Sequence, residues 1–181
     1  REDMAVRNEE RSNKYLNDLG QALDSAYSEL RELLSQFRNR MDPRGLLPAM
    51  YDIVGNFYDK TGITIDFLNQ VPDINLTPDK EVQVFHIVKE ALNNVSKHSR
   101  ASHVGLAIEI RRGRYVISVE DDGIGFDGKA NTDSGMHLGL NIMLERARHL
   151  NGDVTVTPGE KGGTRMELSF PIPAGRKEGD A

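Results

Sequence analysis

The chain has no cysteine, which removes disulfides, thiolate metal sites and thiol nucleophiles and accords with a reducing compartment. It has no long hydrophobic run either. Nothing approaches the roughly 18 consecutive apolar residues of a membrane span, and Arg1 opens a polar stretch rather than a signal sequence, so no membrane contact is expected from these residues. Basic residues are in deficit, 23 Lys and Arg against 28 Asp and Glu for a formal net charge of -5. They form no cluster, so binding to a nucleic-acid backbone is not expected. The sequence also lacks Gly-x-x-x-x-Gly-Lys-Ser/Thr, which excludes the standard P-loop.

What is present suffices for one compact α/β core with a smaller helical appendage: 181 residues, 38% hydrophobic, with 17 glycines. Leu16, Leu19, Leu23, Ala26, Leu30, Leu33 and Phe37 alternate steps of three and four, the a/d seam of a helix. Polar residues fill most of the other positions, so the stripe needs helical partners, and an intermolecular bundle is the favoured reading over packing on its own domain. Asp42-Pro43-Arg44-Gly45 breaks this helix and marks a hinge. Three segments follow from this division: an N-terminal helix over 1–42, a core over 43–173 and a frayed tail over 174–181.

Within the core, Leu46 to Lys60 reads as a helix ended by Thr61-Gly62, and Ile63 to Phe67 alternates as a strand with odd positions inward. Thr77-Pro78 looks like an N-cap with proline at the first helical position. The helix from about Asp79 to His98 carries the strongest amphipathic signal, with Val84, Ile87, Val88, Ala91, Leu92 and Val95 on one face. Val104 to Ile110 and Tyr115 to Val119 form an antiparallel hairpin around Arg112-Gly113. A glycine-rich stretch, a helix from about Leu138 to Leu150, and strands near Val154–Thr157 and Arg165–Phe170 complete the pattern. The expected class is α+β, a two-layer sandwich.

Four short blocks carry candidate chemistry. On the amphipathic helix Glu90, Asn94 and Lys97 fall at i, i+4 and i+7, away from the apolar face. Mg²⁺ takes oxygen ligands and keeps several waters. Asn94 could therefore offer one amide oxygen, Glu90 could hold an attacking or metal-bound water, and Lys97 could lie against phosphate. The same triad is also what a solvated helix face contains. Asp121 ends an apolar strand before Asp122-Gly123-Ile124-Gly125. An ionised carboxylate only accepts, adenine's exocyclic amine donates, and the glycines let backbone approach a flat ring; an ordinary Asp-Gly turn is the alternative. Gly139 and Leu140 are expected at the start of a helix, where free amides suit phosphate. Gly162-Gly163-Thr164 taken alone reads as a hairpin turn.

Taken together, Glu90 to His98, Asp121 to Gly125, His137 to Leu140 and Gly162 to Thr164 resemble the N, G1, G2 and G3 boxes of the GHKL ATP-binding superfamily, in order and spacing. Leu30-Arg31-Glu32-Leu33-Leu34 and Gly139 to Ala147 are similar to the nitrate/nitrite-responsive sensor histidine kinases. The resemblance implies ATP and Mg²⁺ as cofactors and Asn94 as the metal ligand. It implies phosphate contacts from Lys97 and His98, adenine selection by Asp121, and a pocket lined by Gly123, Gly125, Gly139, Leu140 and Thr164. It further implies a dimerising four-helix bundle containing the heptad helix, transfer of the γ-phosphoryl to a His outside this sequence, and then transfer to a response-regulator Asp. The parent would sit in a bacterial inner membrane with this portion cytoplasmic. None of His86, His98, His103, His137 and His149 suits the acceptor role. His137 stands where many members of the superfamily have a glycine. The rival readings are a GHKL ATPase or anti-sigma-type serine kinase, with Glu90 activating water or a hydroxyl, and a non-catalytic dimerisation module.

Overall fold

The computed structural model of the chain describes residues 44–125, 134–160 and 162–173; the heptad helix, part of the hinge, the centre of the glycine-rich stretch and the tail lie outside them. The described residues form an α+β fold, with three α-helices on one face of a five-stranded mixed sheet. Helix α1 (Leu46–Thr61) leads into β1 (Thr64–Asn69), and α2 (Pro78–Asn94) crosses over to β2 (His103–Arg111). Strand β3 (Arg114–Asp121) precedes α3 (Ser134–His149), and β4 (Asp153–Pro158) and β5 (Thr164–Pro171) close the chain. The spatial order is β1-β2-β3-β5-β4, with β1 parallel to β2 and the other pairs antiparallel. Strand β5 therefore separates β3 from β4, which are linked through α3.

Local chemistry explains the element ends. Gly62 takes a left-handed φ of 69° and donates its N–H to the Tyr58 carbonyl at 2.8 Å, closing α1. Pro78 occupies the first turn of α2, where its missing N–H costs nothing. Thr77 is the N-cap as expected, but its hydroxyl makes no capping bond; its carbonyl accepts from Glu81 N–H at 3.0 Å instead.

Helix α2 is the centre of the helical layer, with α1 on one side and α3 on the other. All six residues of its expected apolar face, Val84, Ile87, Val88, Ala91, Leu92 and Val95, are buried. They meet Val104, Leu106, Ile108, Tyr115, Ile117 and Val119 from the sheet in one core. Each large side chain buried this way contributes about 1.5–3 kcal/mol relative to exposure. The alternation in β2 stops short at Ile110, which lies two residues from the Arg112-Gly113 turn and is exposed. Arg146 donates to Gln83 Oε1 at 2.8 Å, tying α3 to α2.

The end of β3 is fixed to the start of β2 by Asp122. Its carboxylate accepts from Ser102 N–H (2.8 Å), Ser102 Oγ (2.7 Å) and His103 N–H (2.9 Å). Those donors hold its pKa down at about 2 against a usual 3.8. A depressed carboxylate stabilises the fold above its unfolded pKa and loses that contribution as pH falls through the folded value. Asp122→Asn should therefore unfold more easily than wild type at pH 5, and the gap should close between pH about 4 and about 2. Urea midpoints across that range check this; a gap independent of pH contradicts it.

Candidate ATP-binding site

The site forms where the C-terminal end of β3 meets the last turn of α2. Helix α2 does not run on to His98 as a regular helix: after Asn94 it widens into a π-helical turn, Val95–Ser99. Such turns are rare and concentrate at functional sites. The turn ends when Arg100 adopts φ 53°. Ser99 Oγ donates to the Val95 carbonyl (2.8 Å) and accepts from Ala101 N–H (3.0 Å), so the chain leaves the helix in a fixed direction. The Ser99 carbonyl then accepts from Ile124 N–H at 2.9 Å, binding the loop after β3 to the end of α2.

Asp121 lies at the floor, 4% exposed. Its Oδ1 accepts from Gly123 N–H at 2.9 Å, and the Thr164 backbone N–H also donates to the carboxylate. Burial raises its pKa, and the two backbone donors oppose that shift. Around this carboxylate the backbone is packed too closely for side chains. A Cβ on Gly123 would stand 2.1 Å from the Ser99 carbonyl oxygen, and one on Gly163 would stand 2.0 Å from that of Asp121. Gly163 also has φ 70°. The Asp121 loop, the π turn and the β4–β5 loop are thus three interlocked backbones.

Above the floor is a pocket open to solvent at its mouth. Ala91, Val95, Val119, Met143, Val156 and Met166 give it apolar walls, with Asp121, Asn94, His98, Ser99 and Thr164 as polar points. Ile124, 70% exposed, stands at the edge. An apolar slot with one buried acceptor carboxylate suits a flat heterocycle carrying a donor amine.

Of the residues expected from the sequence, Asn94, His98, Asp121, Gly125, Leu140 and Thr164 line this pocket. Gly123 sits against Asp121 from behind. Lys97 is exposed on the π turn and is not part of the wall; the turn alters the i+7 spacing that would have continued the ridge from Glu90. The expectation for Gly139 needs correction. Helix α3 begins at Ser134, so Gly139 and Leu140 lie inside the helix, beyond the first turn whose amides are free. Gly139 instead lets α3 approach α2: a Cβ there would lie 2.6 Å from Glu90 Oε1 and 3.6 Å from Asn94 Oδ1. Those two oxygens face one spot. Among the described residues no group of three or more His, Asp or Glu side chains gathers to hold a metal, so a cation here would need phosphate and water oxygens beside Asn94. That donor set fits Mg²⁺.

The apolar wall was not assigned from sequence. Val119 and Met166 face each other across β3 and β5, and strand alternation places both on the inner face with Asp121. Met143 follows Gly139 by four residues on α3 and shares its face. Those spacings were readable, but nothing in them distinguishes a ligand wall from plain core.

The fold and this site together define an ATP-binding domain without a P-loop. Residues 79–174, just over half of the chain, match the family described as histidine kinase-, DNA gyrase B- and HSP90-like ATPases, and the chain belongs to that family. It is 34% identical over 163 residues to the sensor protein NarQ homolog of Haemophilus influenzae, covering 90% of this chain and 28% of that protein. It is 33% identical over 154 residues to the nitrate/nitrite sensor protein NarQ of Escherichia coli K12, covering 84% and 27%. The chain thus spans little more than a quarter of these relatives. Its fold is similar to the histidine kinase domain of the Erythrobacter litoralis EL346 blue-light activated kinase, with a TM-score of 0.60 at 23% identity, covering 71% of this chain and 61% of that one. The ATP-binding domain of PrrB from Mycobacterium tuberculosis gives a TM-score of 0.55 at 23% identity, covering 71% and 92%.

The interlock yields a comparison between adjacent glycines. Gly162 has φ 90° with nothing nearer than 4.0 Å to its Cβ position, so Gly162→Ala should cost only the left-handed backbone, about 1–2 kcal/mol. Gly163→Ala adds the overlap with the Asp121 carbonyl and should cost about 1–3 kcal/mol more. Equal urea midpoints for the two variants would show that the loop does not grip β3.

Proposed function

We propose that this chain is the catalytic, ATP-binding portion of a two-component sensor histidine kinase. It delivers the γ-phosphoryl of Mg·ATP to a histidine that is not among its own five, for later transfer to a response-regulator Asp. The observation that carries this reading is the buried Asp121 beneath an apolar slot, together with Asn94 on the wall of that slot and Glu90 one turn before it, whose side-chain oxygens both face Gly139. Adenine fits the first and phosphate with its cation the second.

In this reading Asp121 accepts from adenine's amine, Val119, Met143 and Met166 sandwich the ring, and Ile124 covers its edge. Asn94 would ligate Mg²⁺, whose role is to neutralise charge on the phosphates. His98 and Lys97, at the pocket's edge and just beyond it, would meet phosphate oxygens, and Glu90 is the candidate to hold the attacking group or a water. Catalysis of this kind rests on positioning and charge stabilisation. The likeness to the NarQ sensors over most of this chain supports the kinase context. Dimerisation through the heptad helix, a domain boundary near residue 43, and a membrane-bound parent with this portion cytoplasmic belong to the same proposal. No described helix is long and apolar enough to cross a membrane.

The test is γ-labelled Mg·ATP incubated with this chain and a separately made complete dimerisation domain, scoring acid-labile, base-stable label. Label on the added domain's histidine is expected. Steady phosphate release without such label would favour an ATPase that uses Glu90 on water. Asp121→Asn should weaken ATP binding about 10- to 100-fold, as expected for loss of a charged hydrogen bond. Asn94→Asp should retain the adenine contact and lose Mg-dependent transfer. Wild-type ATP affinity in Asp121→Asn would overturn the adenine assignment.

A further inference from the structure

Glu120 and Asp121 are neighbours in β3, so their side chains leave on opposite faces of the sheet. Asp121 faces the pocket. Glu120 is on the outer face, opposite Arg165 of β5 in the strand register, and nothing in the nucleotide chemistry calls for it. Yet its carboxylate is fully engaged at the root of the β4–β5 loop. Oε2 accepts from the Arg165 guanidinium at 2.7 Å, with the two side chains 24% and 26% exposed. Oε1 accepts from the Glu160 backbone N–H at 2.8 Å.

That second bond matters because of where the loop goes. After Glu160 come Gly162 and then Gly163, which lies against the Asp121 carbonyl, and then Thr164, whose N–H donates to the Asp121 carboxylate. Gly159 N–H donates to the Gly163 carbonyl at 3.1 Å and closes the loop. A Cβ on Gly159 would stand 3.1 Å from Glu120 Oε1 and 2.4 Å from the Gly162 carbonyl, so the loop is drawn down onto Glu120 as tightly as backbone allows. Arg165 also reaches Glu167 at 3.4 Å, and Glu167 reaches Arg111 of β2 at 3.1 Å. The clamp is thereby braced across three strands.

We propose that Glu120 is a positioning residue for the nucleotide, gripping the β4–β5 loop from the far face of the sheet so that Thr164 stays against Asp121. This assignment rests on the ATP reading of the pocket. Glu120 touches no nucleotide; it fixes the geometry of the carboxylate that does. Loss of its carboxylate frees the Glu160 amide and leaves Arg165 to Glu167 alone, and the loop lifts from Asp121.

The experiment compares wild type with Glu120→Ala, Glu120→Gln and Glu167→Ala by ATP titration and by amide hydrogen exchange without nucleotide. Glu120→Ala should weaken ATP about tenfold, the effect of about one lost hydrogen bond, and speed exchange at Glu160 and Thr164. Glu120→Gln keeps an oxygen for the Glu160 amide and should recover most of the affinity. Glu167→Ala, in the same charge ladder but without contact to the loop, should leave affinity and both amides unchanged. Wild-type affinity in Glu120→Ala, or an equal loss in Glu167→Ala, overturns the assignment while leaving the ATP reading in place. Failure of wild type to bind ATP removes that reading and this assignment with it, whatever the exchange data show.

Discussion

Three backbone segments distant in sequence meet at Asp121 with no room for a side chain between them. The carbonyl of Ser99 holds the Ile124 amide, the carbonyl of Asp121 lies under Gly163, and Gly123 passes between Ser99 and the Asp121 carboxylate. This close approach ties the end of α2, the end of β3 and the start of β5 to one point. The carboxylate at that point is buried and partnered on one side by backbone amides alone, so its remaining acceptor capacity is directed into the pocket. A buried acceptor in an apolar slot rewards a ligand that donates to it and penalises one that does not. On the proposed ATP reading, recognition follows from how the sheet and α2 are joined.

The second half of the site depends on helix packing. Because position 139 has no side chain, α3 packs closely against α2 where Glu90 and Asn94, one turn apart, both face Gly139, and the Arg146–Gln83 bond ties the two helices further along. The π turn then sends His98 toward the pocket and leaves Lys97 in solvent. The apolar slot at the sheet and the polar groups at the helices are thus built by different forces, burial in the first case and close helix approach in the second.

Much of this was legible in the sequence because the signals were periodic. The six-residue apolar face of α2 repeats over three turns, and in the β2–β3 hairpin an alternating strand and a continuous apolar one flank a two-residue turn; both patterns survive any error of a residue or two in the boundaries. Asp121, at the end of an apolar strand before spaced glycines, was legible for the same reason. The features that were not legible depend on contacts between segments. A π turn leaves the composition of a helix unchanged. Asp133 before the start of α3 at Ser134 is a good N-cap residue, but it lies in a glycine-rich stretch that reads as loop, so Gly139 looked like a helix opening when it is a helix contact. Glu120 gave no signal because its partner, the amide of Glu160, is common to every residue type, and only the folded loop brings it within reach.

Titration of the wild-type chain with ATP and with inosine triphosphate shows whether Asp121 selects adenine. Hypoxanthine replaces adenine's exocyclic amine with a carbonyl and leaves sugar, phosphates and ring size the same, so an acceptor would face the buried carboxylate. ATP should bind at least about 100-fold more tightly, as expected of a site built to hydrogen-bond one group. Equal affinity for the two nucleotides would contradict adenine selection by Asp121, because the base would then lie somewhere other than against it.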